Sequence, residues 1–105
     1  MKKATALLLA ATLTTATVVL ADAGEDRLKT DGCLACHAMD KKIIGPAYKD
    51  VAEKYRGDST AAAKLQDKVK KGGSGVWGQI PMPPNTAVSD ADIKADVAYI
   101  LSLKK

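Results

Sequence analysis

Cys33, Cys36 and His37 stand together in the run Cys33-Leu34-Ala35-Cys36-His37. Two thiols at this spacing reach two neighbouring edges of a porphyrin and add to its vinyl groups. The next residue then delivers an imidazole over one face, where it binds the iron. Cys-x-x-Cys-His therefore reads as an attachment site for a c-type haem. Three blander readings compete. A disulfide between Cys33 and Cys36 suits an oxidising compartment. A thioredoxin-like redox site belongs next to a βαβ pattern, which this chain lacks. A zinc site takes four ligands, mostly Cys and His, and two Cys and one His fall short of that.

If haem is present, its second axial ligand follows by exclusion. His37 is the only histidine, so two histidine ligands from one chain are impossible. Met1 belongs to a leader expected to be removed. Met39 lies two residues from His37, a reach of only about 7 Å, and stays tethered on the histidine side. Met82 remains, within Ile80-Pro81-Met82-Pro83-Pro84. Flanking prolines fix φ and stiffen the backbone, which suits a strap holding a weak thioether ligand. The competing readings are a gap-filling core methionine, or a lysine or water on the iron. Met/His ligation raises the reduction potential and leaves no open coordination position, which suits electron transfer rather than oxygen or peroxide chemistry.

Four helical stretches would have to position these groups. Glu25 to Thr30 is short and is followed by Gly32. Pro46 to Tyr55 places Tyr48, Val51, Ala52 and Tyr55 on one face, with proline at the first position. A third, capped by Ser59 or Thr60, runs to about Lys71 with Ala61, Leu65 and Val69 on one stripe and Gly72-Gly73 at its end. The fourth starts at Ser89, has Asp90 and Asp92 in its first turn, and ends towards Lys104 and Lys105, in accord with the helix dipole. Its stripe is Ile93, Val97, Ile100 and Leu101. Between the third and fourth lies the Gly/Pro segment 72–88, with the only Trp. Loops of that length in small domains are often functional. No strand alternation, repeat or second domain is visible.

Composition sets the bounds. The 105 residues fit one small domain, yet they include no Phe, one Trp and three Tyr. Chains of this size usually need a staple or a cofactor to complete the core, and a haem would serve. Met1-Lys2-Lys3, the uncharged run Ala4–Leu20 and the small residues Ala21-Asp22-Ala23-Gly24 read as a secretory leader over residues 1–23. Cleavage is expected after Ala23, with Ala21 as second choice and a retained membrane anchor as the competing reading. The mature domain would be 24–105, in the periplasm and without membrane insertion. Losing Lys2, Lys3 and Asp22 takes the formal net charge from +4 to +3. Lysines are scattered, without a dense basic block, so no nucleic-acid partner is expected.

Together these residues resemble the small bacterial class I cytochromes c of the c-551/c-552 type, from about Leu28 to Leu103. Three blocks carry the resemblance: Gly32–His37, Ile44-Gly45-Pro46-Ala47-Tyr48, and Gly75-Val76-Trp77-Gly78-Gln79-Ile80-Pro81-Met82-Pro83-Pro84-Asn85. It implies an all-α fold of about four helices wrapped around one haem c. It implies that the Pro46 carbonyl accepts from His37 Nδ1, that Trp77 donates to a haem propionate, and that the Asn85 side chain reaches the Met82 sulfur. For Trp77 the plainer role is a core aromatic, and for Asn85 a turn residue. The chain departs from relatives at Tyr99, where several have Trp, and at Lys68, where some have Arg and a bidentate fork. The segment Asn85–Ser89 also looks one residue longer than in the shortest members.

The function expected is a diffusible, monomeric electron carrier, not an enzyme, serving redox protein partners such as terminal oxidases or nitrite reductases. Lys41, Lys42, Lys49, Lys70 and Lys71 are candidates for steering a partner, against the plainer reading of solvated surface charge. The alternatives are a small peroxidase-like haem enzyme, disfavoured by the lack of a second histidine, and a sensor or a subunit of a larger redox complex.

Overall fold

The computed structural model describes residues 10–12 and 17–104, with the backbone alone for 17–22. The basic start Met1–Lys3 of the expected leader and the terminal Lys105 lie outside the described residues. The architecture is all-α: α1 Thr17–Thr30, α2 Tyr48–Lys54, α3 Ala61–Lys71 and α4 Asp90–Leu101, with one 3-10 turn at Cys33–Ala35. Among the described residues no strand forms, only an isolated antiparallel bridge between Gly73 and Met82. No helix among them is long and apolar enough to cross a membrane.

α4 is the backbone of the packing, in contact with α1, α2 and α3. It begins as its sequence dictates. The Ser89 hydroxyl accepts from the Asp92 N–H at 3.2 Å, satisfying one of the orphan donors of the first turn. Its stripe of Ile93, Val97 and Ile100 is buried. Leu28 of α1 joins Tyr48 and Val51 of α2 and Ile100 in one cluster, with Leu34, Met39, Leu65 and Leu103 packed around it.

Two helix starts and one cap differ from expectation. α1 begins at Thr17 rather than Glu25, because Thr17–Ala23 contains no glycine or proline to stop it. Both expected cut sites, Ala21 and Ala23, thus fall inside α1. α2 begins at Tyr48, not Pro46: Ala47 is extended at φ −60°, ψ 139°, and the Pro46 carbonyl is turned towards His37. Thr60 sits at the α3 cap position but makes no side-chain cap. Asp58 Oδ1 instead accepts from the Thr60 N–H at 2.8 Å and its hydroxyl at 2.6 Å. Those two bonds to the ionised form hold the Asp58 carboxyl below its ordinary pKa.

α1 and α4 are also joined by a buried ion pair that hydrophobic patterning does not announce. Arg27 Nε donates to Asp96 Oδ1 at 2.7 Å, and Asp96 is only 5 % exposed. Burial, chiefly, and the neighbouring Asp31 push the Asp96 carboxyl up to about 6, against the opposing pull of Arg27.

Candidate functional site

α1 stops at Thr30 because Gly32 takes φ +81°, a left-handed conformation that glycine adopts without penalty. The chain then enters the 3-10 turn Cys33–Ala35, and the N–H groups of Cys36 and His37 both return to the Cys33 carbonyl, at 3.3 and 3.1 Å. This tight winding points both cysteines and the histidine towards one space. The two thiols are half-buried and not bonded to each other. Burial, aided by Asp96, pushes the Cys33 thiol up.

His37 is held from several sides. Its Nδ1 donates to the Pro46 carbonyl at 2.8 Å. That bond places the proton on Nδ1 and leaves the Nε2 lone pair available to a metal. The Tyr48 ring stacks on the imidazole at 4.6 Å between centroids and 16° between planes. Gly45 supplies clearance, because a Cβ there would lie 2.8 Å from Nδ1 and 2.9 Å from Nε2. Neither Tyr48 nor Gly45 was singled out from the sequence. In the sequence Tyr48 reads as part of an apolar stripe, and Gly45 stands only within the block Ile44–Tyr48 that carries the resemblance.

The opposite side of the space is built by the segment after α3. Gly73 and Met82 exchange both backbone hydrogen bonds, at 2.9 and 2.8 Å. The Asn85 N–H returns to the Val69 carbonyl of α3 at 2.9 Å. Met82 is thus pinned by a bridge as well as stiffened by prolines. The bridge requires Gly72, which has φ +70° and where a Cβ would lie 2.8 Å from the Pro84 nitrogen. Asn85 acts as the turn residue: its Oδ1 accepts from the N–H groups of Ala87 and Val88, both at 3.1 Å. Trp77 is 40 % exposed, with the Lys54 ammonium 5.6 Å from its ring centroid.

Cys33, Cys36, His37 and Met82 line a single cavity of about 880 Å³, within the range of roughly 300–1,000 Å³ typical of ligand and cofactor sites. Ile93, Val97 and Ile100 form its floor. Ile43, Ile44, Val76 and Ile80 are exposed, and all but Ile43 line the cavity. Apolar surface of this extent normally marks a binding site. Two thiols, one imidazole with a free Nε2 and one thioether are the donor set of a haem c. The residues present fit that group.

Comparison with known proteins agrees with this geometry. A family model described as cytochrome c matches residues 21–104. The chain belongs to the cytochrome c family. It is 55 % identical over 84 residues to cytochrome c-552 of Nitrosomonas europaea, covering 80 % of this chain and 82 % of that one. It is 60 % identical over 72 residues to cytochrome c-551 of Allochromatium vinosum, covering 69 % and 77 %. The crystal structure of the Nitrosomonas europaea cytochrome c552 superposes with a TM-score of 0.74, covering 76 % of this chain and 99 % of that one. The fold is therefore the class I all-α cytochrome c fold, its cofactor is a covalently bound haem c, and its activity is electron transfer rather than enzymatic turnover.

The five lysines considered for partner steering divide. Lys49 pairs with Asp40, Lys70 with Asp90 at 3.0 Å and Lys71 with Asp67 at 2.8 Å. Lys41 and Lys42 are exposed, and Lys42 lines the cavity mouth.

Proposed function

We propose that this cytochrome is a monomeric periplasmic one-electron carrier in which Cys33 and Cys36 hold the haem by thioether bonds and His37 and Met82 bind the two faces of its iron. The observation that carries the ligand assignment is the two-bond bridge between Gly73 and Met82, which fixes Met82 in the wall of the cavity shared with His37. Met39 has another occupation, packed against the Leu28 cluster. The haem supplies a one-electron ferric/ferrous couple. The chain's residues hold its ligands still in both states, so little geometry changes when the electron moves. Trp77, in the cavity wall, would offer its indole N–H to a haem propionate. Asn85, its Oδ1 engaged in a turn, has its Nδ2 hydrogens left for the Met82 sulfur.

The location rests on the leader over residues 1–23. Cleavage after Ala23 leaves Gly24–Thr30 as the first helix of the mature domain. Gly24 is buried, and a Cβ there would lie 2.6 Å from Tyr99 Cγ. The mature chain thus keeps the residue that packs on α4. Partners are redox proteins that meet the apolar rim of Ile44, Val76 and Ile80, with the exposed Lys41 and Lys42 beside it.

The test is an absorbance-monitored redox titration of the mature protein. The expected result is one reversible one-electron wave, with the weak far-red band of thioether sulfur on ferric haem in the oxidised form. Attached haem without that band would remove Met82 from the iron. Rapid binding of added ligands to the ferric protein would then favour the catalytic alternative.

A further inference from the structure

We infer that Tyr48 is a positioning residue for the axial imidazole, its ring setting the rotational angle of His37 about the metal–Nε2 axis. The inference rests on His37 being an axial ligand and goes beyond that reading to the question of what fixes its plane. An imidazole bound through Nε2, tethered by its own backbone, keeps one soft coordinate: rotation about the bond to the metal. Two contacts in the structure oppose that rotation. The Nδ1 bond to Pro46 at 2.8 Å lies off the axis, so turning the ring stretches it. The Tyr48 ring lies against the imidazole at 4.6 Å and 16°, so turning drives one ring edge into the phenol and lifts the other away. Gly45 allows close approach along the Cε1 edge without adding a wall of its own.

Tyr48 is itself well anchored, which a positioning residue must be. It is 5 % exposed. Its backbone N–H donates to the Ala38 carbonyl at 2.9 Å, tying the start of α2 to the residue after His37. Val51, one turn on, is buried in the same cluster. The ring that touches the imidazole is therefore fixed to both the attachment turn and the core. The imidazole plane decides which iron d orbital its π system overlaps. It thereby sets how unpaired spin is shared among the four ring edges, and the edge that carries the spin conducts the electron best.

The test uses the mature ferric holoprotein and the proton NMR shifts of the four haem methyl groups. Two variants divide the phenol into its parts. Tyr48→Phe keeps the ring and removes the hydroxyl. Tyr48→Leu removes the stack and keeps apolar bulk. The aromatic contact is equivalent to about a two- to tenfold change in an equilibrium constant, so in Tyr48→Leu the fraction of rings turned away should rise by that factor. The expected outcome is a compressed or reordered set of methyl shifts in Tyr48→Leu and a wild-type order in Tyr48→Phe. Wild-type shifts in Tyr48→Leu would overturn the inference, as would equal changes in the two variants, which would assign the effect to the hydroxyl. If Tyr48→Leu loses its fold, Tyr48→Trp serves instead: a larger ring should displace the plane and move the shifts, and an unmoved pattern refutes the role. The failure of the ligand assignment itself would look different, since a wild-type ferric spectrum lacking the strongly shifted ring-proton signals of an iron-bound imidazole would remove His37 from the iron before any variant is compared.

Discussion

The burial of Asp96 should give this small cytochrome a contribution to stability that is lost as pH rises from about 4 to 7 and that one substitution abolishes. Asp96 is raised from 3.8 to about 6 in the folded chain. The folded state therefore holds the proton more tightly than the unfolded one. The stabilisation is fully present below the unfolded value and is lost as pH rises through the folded value. A shift of two pKa units at about 1.4 kcal/mol each sets an upper bound of about 3 kcal/mol. Arg27 is one-third exposed on its side chain, so water screens the cluster and the working figure is on the order of 1–2 kcal/mol. Asp96→Asn keeps an oxygen for the Arg27 N–H and cannot ionise. Urea denaturation of the holoprotein at several pH values should give coincident stabilities for wild type and variant near pH 4. By pH 7 the variant should gain about 1–2 kcal/mol on the wild type. Carboxylates away from this cluster, such as the lowered Asp58, contribute equally to both chains and cancel in the difference. Arg27→Met removes the cation that pulls Asp96 down and should move the window to higher pH. Parallel curves for wild type and Asp96→Asn across the range would refute the reasoning.

Three further outcomes are expected. Gly72→Ala places a methyl group against the backbone of Pro84 at a residue with φ +70°, so the Gly73–Met82 bridge should open. The far-red sulfur band should weaken while the haem stays attached, with a stability loss of about 1–3 kcal/mol. Ser89→Ala removes the cap on the Asp92 N–H and should cost about 1 kcal/mol, read as a fall of roughly 4–8 °C in Tm with an unchanged visible spectrum. Lys41→Gln combined with Lys42→Gln should slow electron transfer to an acidic redox partner at low salt, and the difference should vanish as added salt screens the remaining charge. An equal difference at all ionic strengths would take these two lysines out of docking.

The parts legible in the sequence were those where a local rule acts alone. The cap at Ser89 and the stripe of Ile93, Val97 and Ile100 follow from residue type and a period of 3.6, and α4 starts where they place it. Cys33, Cys36, His37 and Met82 share the wall of one cavity, a convergence suggested by motif spacing and by exclusion. What was missed is tertiary. α2 starts two residues late because the Pro46 carbonyl is bonded to a side chain nine positions away, which no proline rule contains. The strap on Met82 depends on Gly72 and Gly73, which from the sequence serve only to end a helix. Tyr48 looked like core because a ring on an apolar stripe has the same pattern whether it covers leucine or a ligand. The Arg27–Asp96 pair is invisible because α1 and α4 are far apart in the chain, and a charged residue read alone is assigned to the surface.

These omissions share a cause in how little core the polypeptide makes by itself. Among the described residues the largest fully buried side chains are Leu28, Ile93 and Val97, none of them aromatic. The larger Trp77, and Ile44, Val76 and Ile80, which match the core residues in size, instead ring the cavity and keep substantial exposure. In a domain of this size the area available for burial is small, and moving several of its largest apolar side chains to a cofactor wall leaves the rest short of a stable interior. The haem is then as much core as cofactor, and its attachment free energy counts as folding free energy. This explains why the absence of Phe looked anomalous in the composition and is not anomalous in the fold. It also explains why the surroundings of His37 and Met82 are held by backbone bonds, at Pro46, Ala38, Gly73 and Val69, rather than by side-chain packing alone. A wall that must keep its shape against a rigid planar group is better fixed by directional hydrogen bonds than by flexible apolar contacts. That rigidity is what a one-electron carrier requires of its ligands.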